Sequence, residues 1–203
     1  MSLQEAQLLL VTDPRPDLTD RVAAAVRGGV DIIQLRDKRA TREELLPLAE
    51  ELKETCDRHG DLFTVNDDPE LARLCGADGV HLGQEDAPIE SAREKLGPGV
   101  FVGLSAGSVE EARRAAEAGA DYLGVGTVFA TPTKEDAEIA GLALVEEMAR
   151  EELTVPWFAI GGIDLAKAHQ VAGAGAPGFA VVRAILDAED PEAAARDLRS
   201  ILP

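Results

Sequence analysis

Short apolar runs alternate with amphipathic segments along the whole chain, and this alternation constrains the fold more than any other feature. The runs begin near Leu8, Asp31, Leu62, Gly79, Phe101, Tyr122, Trp157 and Gly178. Each is short enough for a strand buried on both faces. Between and after them lie Ala/Glu/Arg-rich segments at 19–28, 41–58, 68–75, 88–96, 108–118, 139–152, 164–173 and 191–201. Helix starts are marked by Thr41 with Glu44 three residues on, by Ser108 with Glu111, and by Asp190 before Pro191. Helix ends are marked by Gly28-Gly29, Gly60, Gly76, Gly97 and Gly119. Eight β-then-α units in 203 residues predict an α/β protein, a single-domain (β/α)8 TIM barrel over residues 1–203. The competing architecture, an open doubly wound sheet, usually carries G-x-G-x-x-G in its first turn. Here that turn is Thr12-Asp13-Pro14-Arg15-Pro16, without glycine. No break in composition marks a second domain.

Hydrophobic residues make up 45% of the chain and aromatics only 3%, which predicts a core of Ala, Val, Leu and Ile. The net charge is −18, which argues against a nucleic-acid partner. Only five of the 20 basic residues are Lys. A salt-loving organism uses such a surface to stay soluble, and an ordinary acidic cytosolic protein reads the same way. No apolar run approaches the ~18 residues of a membrane span. Met1 to Glu5 lacks the basic start and cleavage site of a signal peptide, so a cytoplasmic location is expected. Cys56 and Cys75 match no zinc spacing and the three His are dispersed, so free thiols and no zinc are expected. A homo-oligomer is compatible with all of this and is not indicated by it.

In such a barrel, chemistry sits where strands end. Gln34, Arg36 and Lys38 alternate with Ile33 and Leu35, so an amide and two cations share one face at the end of an apolar strand. Burying them calls for a partner, and a phosphate or pyrophosphate is the natural one. The third run ends in Asn66-Asp67-Asp68 and the fourth in Gly83-Gln84-Glu85-Asp86. Asp67 and Asp86 together suit one Mg²⁺, which takes a few carboxylates plus substrate oxygens. Alone, each reads equally as a helix N-cap. Ser105 ends the fifth run with no base evident beside it, so a hydrolase triad is unsupported, while a hydrogen bond to a phosphate oxygen is open to it. The sixth run leads to Thr131-Pro132-Thr133-Lys134, two hydroxyls and a cation on the longest connection, which suits a loop closing over substrate. Gly161-Gly162 lets backbone N–H groups at the start of the next helix face an anion, or simply makes a tight turn. His81 reads as a satisfied core histidine, Trp157 as packing and Cys75 as inert.

Taken together these residues resemble the thiamine phosphate synthase family. The resemblance rests on Gln34-Leu35-Arg36-Asp37-Lys38, Asn66-Asp67-Asp68, Asp78 to Asp86, Gly124-Val125-Gly126 leading to Thr131-Pro132-Thr133-Lys134, and Ala159-Ile160-Gly161-Gly162-Ile163, in order along nearly the whole chain. It implies a TIM barrel that joins a pyrimidine methyl pyrophosphate to a thiazole phosphate. By the same resemblance Gln34 binds the aminopyrimidine within the stretch from Gln34 through Leu35 and Asp37 to Lys38. Arg36, Lys38, Asn66, Ser105 and Lys134 hold the pyrophosphate, with Ser105, Lys134 and Arg36 acting in catalysis. Asp67 and Asp86 bind Mg²⁺. Thr131, Pro132, Thr133, Gly161, Gly162, Val182 and Arg183 hold the thiazole phosphate. The implied mechanism is dissociative, with no covalent enzyme intermediate.

Two positions depart from the family pattern: Gly107 stands where a histidine is common, and Arg183 where a serine is usual. A sister enzyme on this fold, a thiazole tautomerase, would need an acid/base group, and Gly107 removes the histidine that would serve. A non-catalytic sensor of thiamine precursors would not need Asp67, Asp86 and Lys134 all retained. Another phosphate-isomerising barrel would account for Gly161-Gly162 and leave Arg36, Lys38, Asp67 and Asp86 unexplained.

Overall fold

Eight parallel strands pair in chain order and close, with β1 hydrogen-bonded to β8, in a computed structural model that describes residues 1–131 and 138–202. In chain order the described elements are β1 (Leu8–Val11), α1 (Leu18–Arg27), β2 (Ile32–Leu35), α2 (Arg42–His59), β3 (Leu62–Asn66), α3 (Pro69–Cys75), β4 (Gly79–Leu82), α4 (Ile89–Leu96), β5 (Phe101–Ala106), α5 (Val109–Glu117), β6 (Tyr122–Val125), α6 (Gly141–Met148), β7 (Trp157–Ile160), α7 (Leu165–Gly173), β8 (Phe179–Val181), α8 (Arg183–Leu186) and α9 (Pro191–Arg199). The expected (β/α)8 barrel is therefore present. A short helix, α8, interposes between β8 and α9, and α6 covers less than the 139–152 predicted. No helix among the described residues is long and apolar enough to cross a membrane.

The helix boundaries follow their caps. Thr41 and Glu44 form a full capping box at α2. At α5 only half of the box exists: Ser108 accepts from the Glu111 N–H, while the Glu111 carboxylate turns away to the Gly107 N–H at 2.6 Å.

The strands are buried on both faces, and parity decides what each face meets. Leu8, Leu10, Ile33 and Leu35 face the helices, in the main aliphatic layer. Leu9, Val11, Ile32, Tyr122, Phe158 and Ala180 face the barrel axis. The expected aliphatic core describes most of the outer layer, where Phe63, Trp157 and Phe179 are the buried exceptions, and fails at the axis. There Tyr122 stands edge-on to both Phe101 and Phe158, with centroids 6.0 and 5.9 Å away. Glycines make the room: a Cβ on Gly79 would lie 2.2 Å from the Phe101 ring, and one on Gly103 would lie 2.2 Å from the Tyr122 ring. Three of the chain's seven aromatic residues, Phe101, Tyr122 and Phe158, thus fill the axis.

The opposite end of the barrel from the strand C-termini is closed by three aspartates. Asp31 accepts the Gln7 and Leu8 N–H groups at 2.7 and 2.8 Å. Asp78 accepts the Phe63 N–H at 2.8 Å and Asp121 the Val102 N–H at 2.7 Å. Each lies at the start of an even strand and satisfies an N–H at the start of the odd strand before it, a donor that would otherwise be stranded at the barrel floor. In each case the sequence reads Gly-x-Asp: Gly29-Val30-Asp31, Gly76-Ala77-Asp78 and Gly119-Ala120-Asp121. The glycines carry positive φ, which ends the preceding helical segment and turns the chain into the strand. Arg199 of α9 reaches Asp31 at 3.3 Å and the Gln7 side chain at 2.6 Å, tying the last helix to the first strand.

Candidate functional site

β3 ends at Asn66, and the next residue, Asp67, has φ 63°, a left-handed conformation uncommon outside glycine. Its N–H donates to the His81 carbonyl of β4 at 2.8 Å, which anchors the turn. Lys38, from the segment after β2, places Nζ 3.2 Å from Asp67 Oδ2. Burial raises the Asp67 pKa; the Asp86 carboxylate beside it raises it further, and Lys38 opposes both. The two predicted metal ligands therefore do converge. Neither is a helix N-cap: Asp68 caps α3, accepting from the Glu70 and Leu71 N–H groups at 3.0 and 3.1 Å, and Pro88 holds that position at α4. Asp86 is exposed and receives the Gly83 N–H at 2.6 Å.

This pair suits a small divalent cation. Two carboxylates that repel each other are relieved when a cation joins them. Among the described residues no third carboxylate, His or Cys joins them, so the remaining coordination would fall to water and substrate oxygens, as Mg²⁺ prefers.

Lys38, Asn66 and Asp67 border a cavity of about 510 Å³, with Arg42 and Lys95 on its walls. Arg42 is held by Asp68 at 2.7 Å. Asp37 accepts the Arg39 N–H at 2.9 Å and so shapes the loop after β2. The Arg36 N–H donates to Thr12 Oγ1 at 2.9 Å, and among the described residues its half-buried guanidinium has no ion-pair partner. The predicted alternation holds within β2, which ends at Leu35, so Arg36 and Lys38 lie beyond the strand. Gln34 faces the axis, where its Nε2 reaches the Tyr122 hydroxyl at 3.5 Å. The Leu35 side chain is buried on the helix side, so any part it plays at the mouth falls to its backbone.

The largest gap in the sequence reading lies at Ser105. No base was evident beside it, yet His81 Nε2 is 3.0 Å from Ser105 Oγ. His81 Nδ1 is in turn 3.1 Å from the Tyr122 hydroxyl, so Gln34, Tyr122, His81 and Ser105 form one polar chain from the axis to the mouth. His81 is indeed a satisfied buried histidine, and it is also the neighbour of a site residue. Burial pushes its pKa down to about 4, so it stays neutral and is a weak base at neutral pH. Its Nδ1 meets a phenol rather than a carboxylate. This is not the arrangement that activates a serine nucleophile. Strand parity could have revealed the neighbours, because His81 pairs with Gly103 in register and Gly103 and Ser105 share a face.

On the far side, Gly161 and Gly162 have φ 111° and 61°. What approaches them closely is the chain after β6: a Cβ on Gly161 would lie 2.6 Å from Thr127 Cγ2, and one on Gly162 would lie 2.5 Å from the Ala130 carbonyl. The Phe129 N–H also donates to the Gly161 carbonyl at 3.0 Å. The expectation that these glycines sit at a helix start is corrected here. α7 begins at Leu165, and its first turn is capped by Asp164, which accepts the Lys167 N–H at 2.9 Å. Val182 occupies the N-cap position of α8, and Arg183 lies 3.9 Å from Asp13, which also pairs with Arg15. Thr131 is half-buried. Pro132, Thr133 and Lys134 lie outside the described residues.

Residues 8–185 match the family model for thiamine monophosphate synthase. The chain is 49% identical over 189 residues to a protein of Gloeobacter violaceus named thiamine-phosphate synthase, covering 93% of this chain and 55% of that one. A Halorhodospira halophila protein of the same name is 45% identical over 196 residues, covering 96% and 93%. A solved thiamine phosphate pyrophosphorylase from Pyrococcus furiosus superposes with a TM-score of 0.88 at 38% identity, over 96% of this chain and 94% of that one. A 3-hexulose-6-phosphate synthase, at 22% identity and TM-score 0.70, shares the fold. The chain thus spans about half the length of the Gloeobacter relative and nearly all of the Halorhodospira one. By these matches, the chain belongs to the thiamine monophosphate synthase family.

Proposed function

We propose that this chain is a Mg²⁺-dependent transferase of thiamine biosynthesis. It joins 4-amino-2-methyl-5-(diphosphooxymethyl)pyrimidine to 4-methyl-5-(2-phosphooxyethyl)thiazole, releasing thiamine phosphate and pyrophosphate. The observation that carries this reading is the convergence of Lys38, Asp67 and Asp86 at the ends of β2, β3 and β4, in a chain of that family. Bound between Asp67 and Asp86, Mg²⁺ would neutralise charge on the departing pyrophosphate.

The residues divide by substrate. Gln34 donates to Tyr122 through Nε2, which leaves Oε1 to accept from the amino group of the pyrimidine. Arg36, whose guanidinium has no ion pair among the described residues, is available to the pyrophosphate, with Lys38, Asn66, Ser105 and Lys134. Leu35 and Asp37 shape that wall. Thr131, Pro132, Thr133, Gly161, Gly162, Val182 and Arg183 are assigned to the thiazole phosphate. In the reaction the C–O bond to pyrophosphate breaks and its electron pair leaves with the oxygen. The electron-rich aminopyrimidine spreads the resulting methylene cation, and the thiazole nitrogen lone pair closes the new C–N bond. The protein's share is fixed positive charge and donors at the leaving group, and exclusion of water that would compete for the cation.

A weakly basic, phenol-bonded His81 supports a transferase over a proton-shuttling tautomerase. We read the enzyme as cytoplasmic and its partners as these small phosphorylated substrates. Incubation with both substrates and Mg²⁺ tests the reading: formation of thiamine phosphate supports it, and tautomerised thiazole alone rejects it.

A further inference from the structure

The chain from Gln34 to Ser105 has a direction that follows from counting protons. The Tyr122 hydroxyl is fully buried, and burial pushes its pKa up, so it keeps its proton. Gln34 Nε2 can only donate, and it points at the phenol oxygen at 3.5 Å. With a donor already on its oxygen, the phenol directs its own proton elsewhere, and His81 Nδ1 at 3.1 Å is there to accept it. A neutral imidazole that accepts at Nδ1 carries its proton on Nε2. That Nε2–H then donates to Ser105 Oγ at 3.0 Å. With its lone pair engaged from below, the half-buried Ser105 hydroxyl has its own proton free for the mouth of the barrel.

We propose that Tyr122 and His81 are positioning residues: Tyr122 holds His81 as the Nε2–H tautomer, and His81 thereby fixes Ser105 as a hydrogen-bond donor toward the departing pyrophosphate. The opposite tautomer would turn the Ser105 proton inward onto Nε2 and present only lone pairs to an anion, a repulsive arrangement. The direction of one buried hydrogen bond thus decides whether the serine assists or opposes the leaving group. This role rests on the synthase reading for its purpose, while the proposed tautomer can be read in the substrate-free protein.

Two measurements test it. In ¹⁵N-labelled full-length chain, two-bond ¹H–¹⁵N correlation spectra report the tautomer of each histidine, and the His81 signals are those lost in His81→Gln. The expected pattern is protonated Nε2 and bare Nδ1, unchanged between about pH 6 and 9; a protonated Nδ1 overturns the proposal whether or not the chain turns over substrate. In the synthase assay, His81→Leu should lower kcat ~10–100-fold with little change in KM, the range for a weakened hydrogen bond to a charged group. His81→Gln, whose amide can still donate, should recover much of that loss. In a Ser105→Ala background the same His81→Leu change should cost less than ~3-fold, because its effect passes through the hydroxyl already removed. An undiminished loss in that background would overturn the relay. If His81→Leu fails to fold, the comparison of His81→Gln with and without Ser105→Ala and the wild-type tautomer still decide. A wild-type chain inactive on both substrates would count against the synthase and leave the tautomer result standing.

Discussion

Lys38 Nζ and Asp67 Oδ2 lie 3.2 Å apart where the segment after β2 meets the end of β3. The pair joins the basic part of the site to its acidic part. Lys38 is largely exposed and Asp67 half-buried, so the contact stabilises the fold little. Its significance is local: it holds a cation beside the two carboxylates that would hold the metal, leaving opposite charges ready for an anion and its counter-ion.

Asp86→Ala tests the metal site. Activity should fall at least ~10-fold at fixed Mg²⁺, and the concentration for half-maximal rate should rise by ~10-fold or more. Mg²⁺ with pyrophosphate should raise the wild-type melting temperature and have a smaller effect on the variant. Without metal the variant's stability should change little, because the relieved repulsion of Asp67 offsets the lost hydrogen bond from the exposed Gly83 N–H. An unchanged Mg²⁺ dependence would refute the ligand role.

Gly103→Ala tests the aromatic axis. The added Cβ would fall 2.2 Å from the Tyr122 ring, in a layer already filled by Phe101 and Phe158. Overpacking there should cost about 1–3 kcal/mol, read by urea unfolding. Gly173→Ala is the control: it lies in α7 with nothing within 4 Å of the new Cβ. It should be neutral or stabilising by about 0.5–1 kcal/mol.

Asp61 gives a signed pH dependence. Burial, and then the charge of Asp31, raise its pKa to about 6 from an ordinary 3.8. The folded chain therefore holds this proton more tightly than the unfolded chain. The stability it contributes is complete below about pH 4, declines as pH rises through about 6, and is absent above. Asp61→Asn should raise the melting temperature by about 2–4 °C at pH 7.5, a shift worth ~1 kcal/mol after allowance for solvent screening, with no gain at pH 3.5. A gain of equal size at both pH values would contradict this account.

The two thiols should be silent in the native state. Cys56 is fully buried and its pKa is pushed up to about 12, by burial first and by neighbouring carboxylates after it. Burial also raises Cys75. A disulfide reagent at pH 8 should therefore label neither thiol in the folded chain and both after unfolding in guanidinium.

The barrel was legible in the sequence because the change from short apolar runs to helical patterns repeats eight times, and the strand ends were legible because chemistry gathers there. Asp67 and Asp86 converge, as their adjacent strand ends implied. What was not legible depends on facing directions between strands. The aromatic axis was hidden because composition averages over the chain, whereas Gly79 and Gly103 act by leaving space for one ring each. The neighbours of Ser105 were hidden because His81 sits on another strand, although parity places both toward the axis. The Gly-x-Asp repeat at Asp31, Asp78 and Asp121 was visible as a spacing, but its purpose shows only once the N–H groups it satisfies are located. Gly161-Gly162 illustrates the reverse error: the demand for glycine comes at least as much from the Thr127–Ala130 chain packed on it as from a ligand.

A phosphorus-31 NMR time course of the chain with the pyrimidine pyrophosphate, the thiazole phosphate and Mg²⁺ separates a synthase from every alternative. For a Mg²⁺-dependent synthase the diphosphate ester signals disappear as pyrophosphate and thiamine phosphate grow in equal amounts, and neither product forms when Mg²⁺ is chelated. Pyrophosphate release without thiamine phosphate, or a thiazole phosphate that isomerises while the pyrimidine pyrophosphate stays intact, would contradict it.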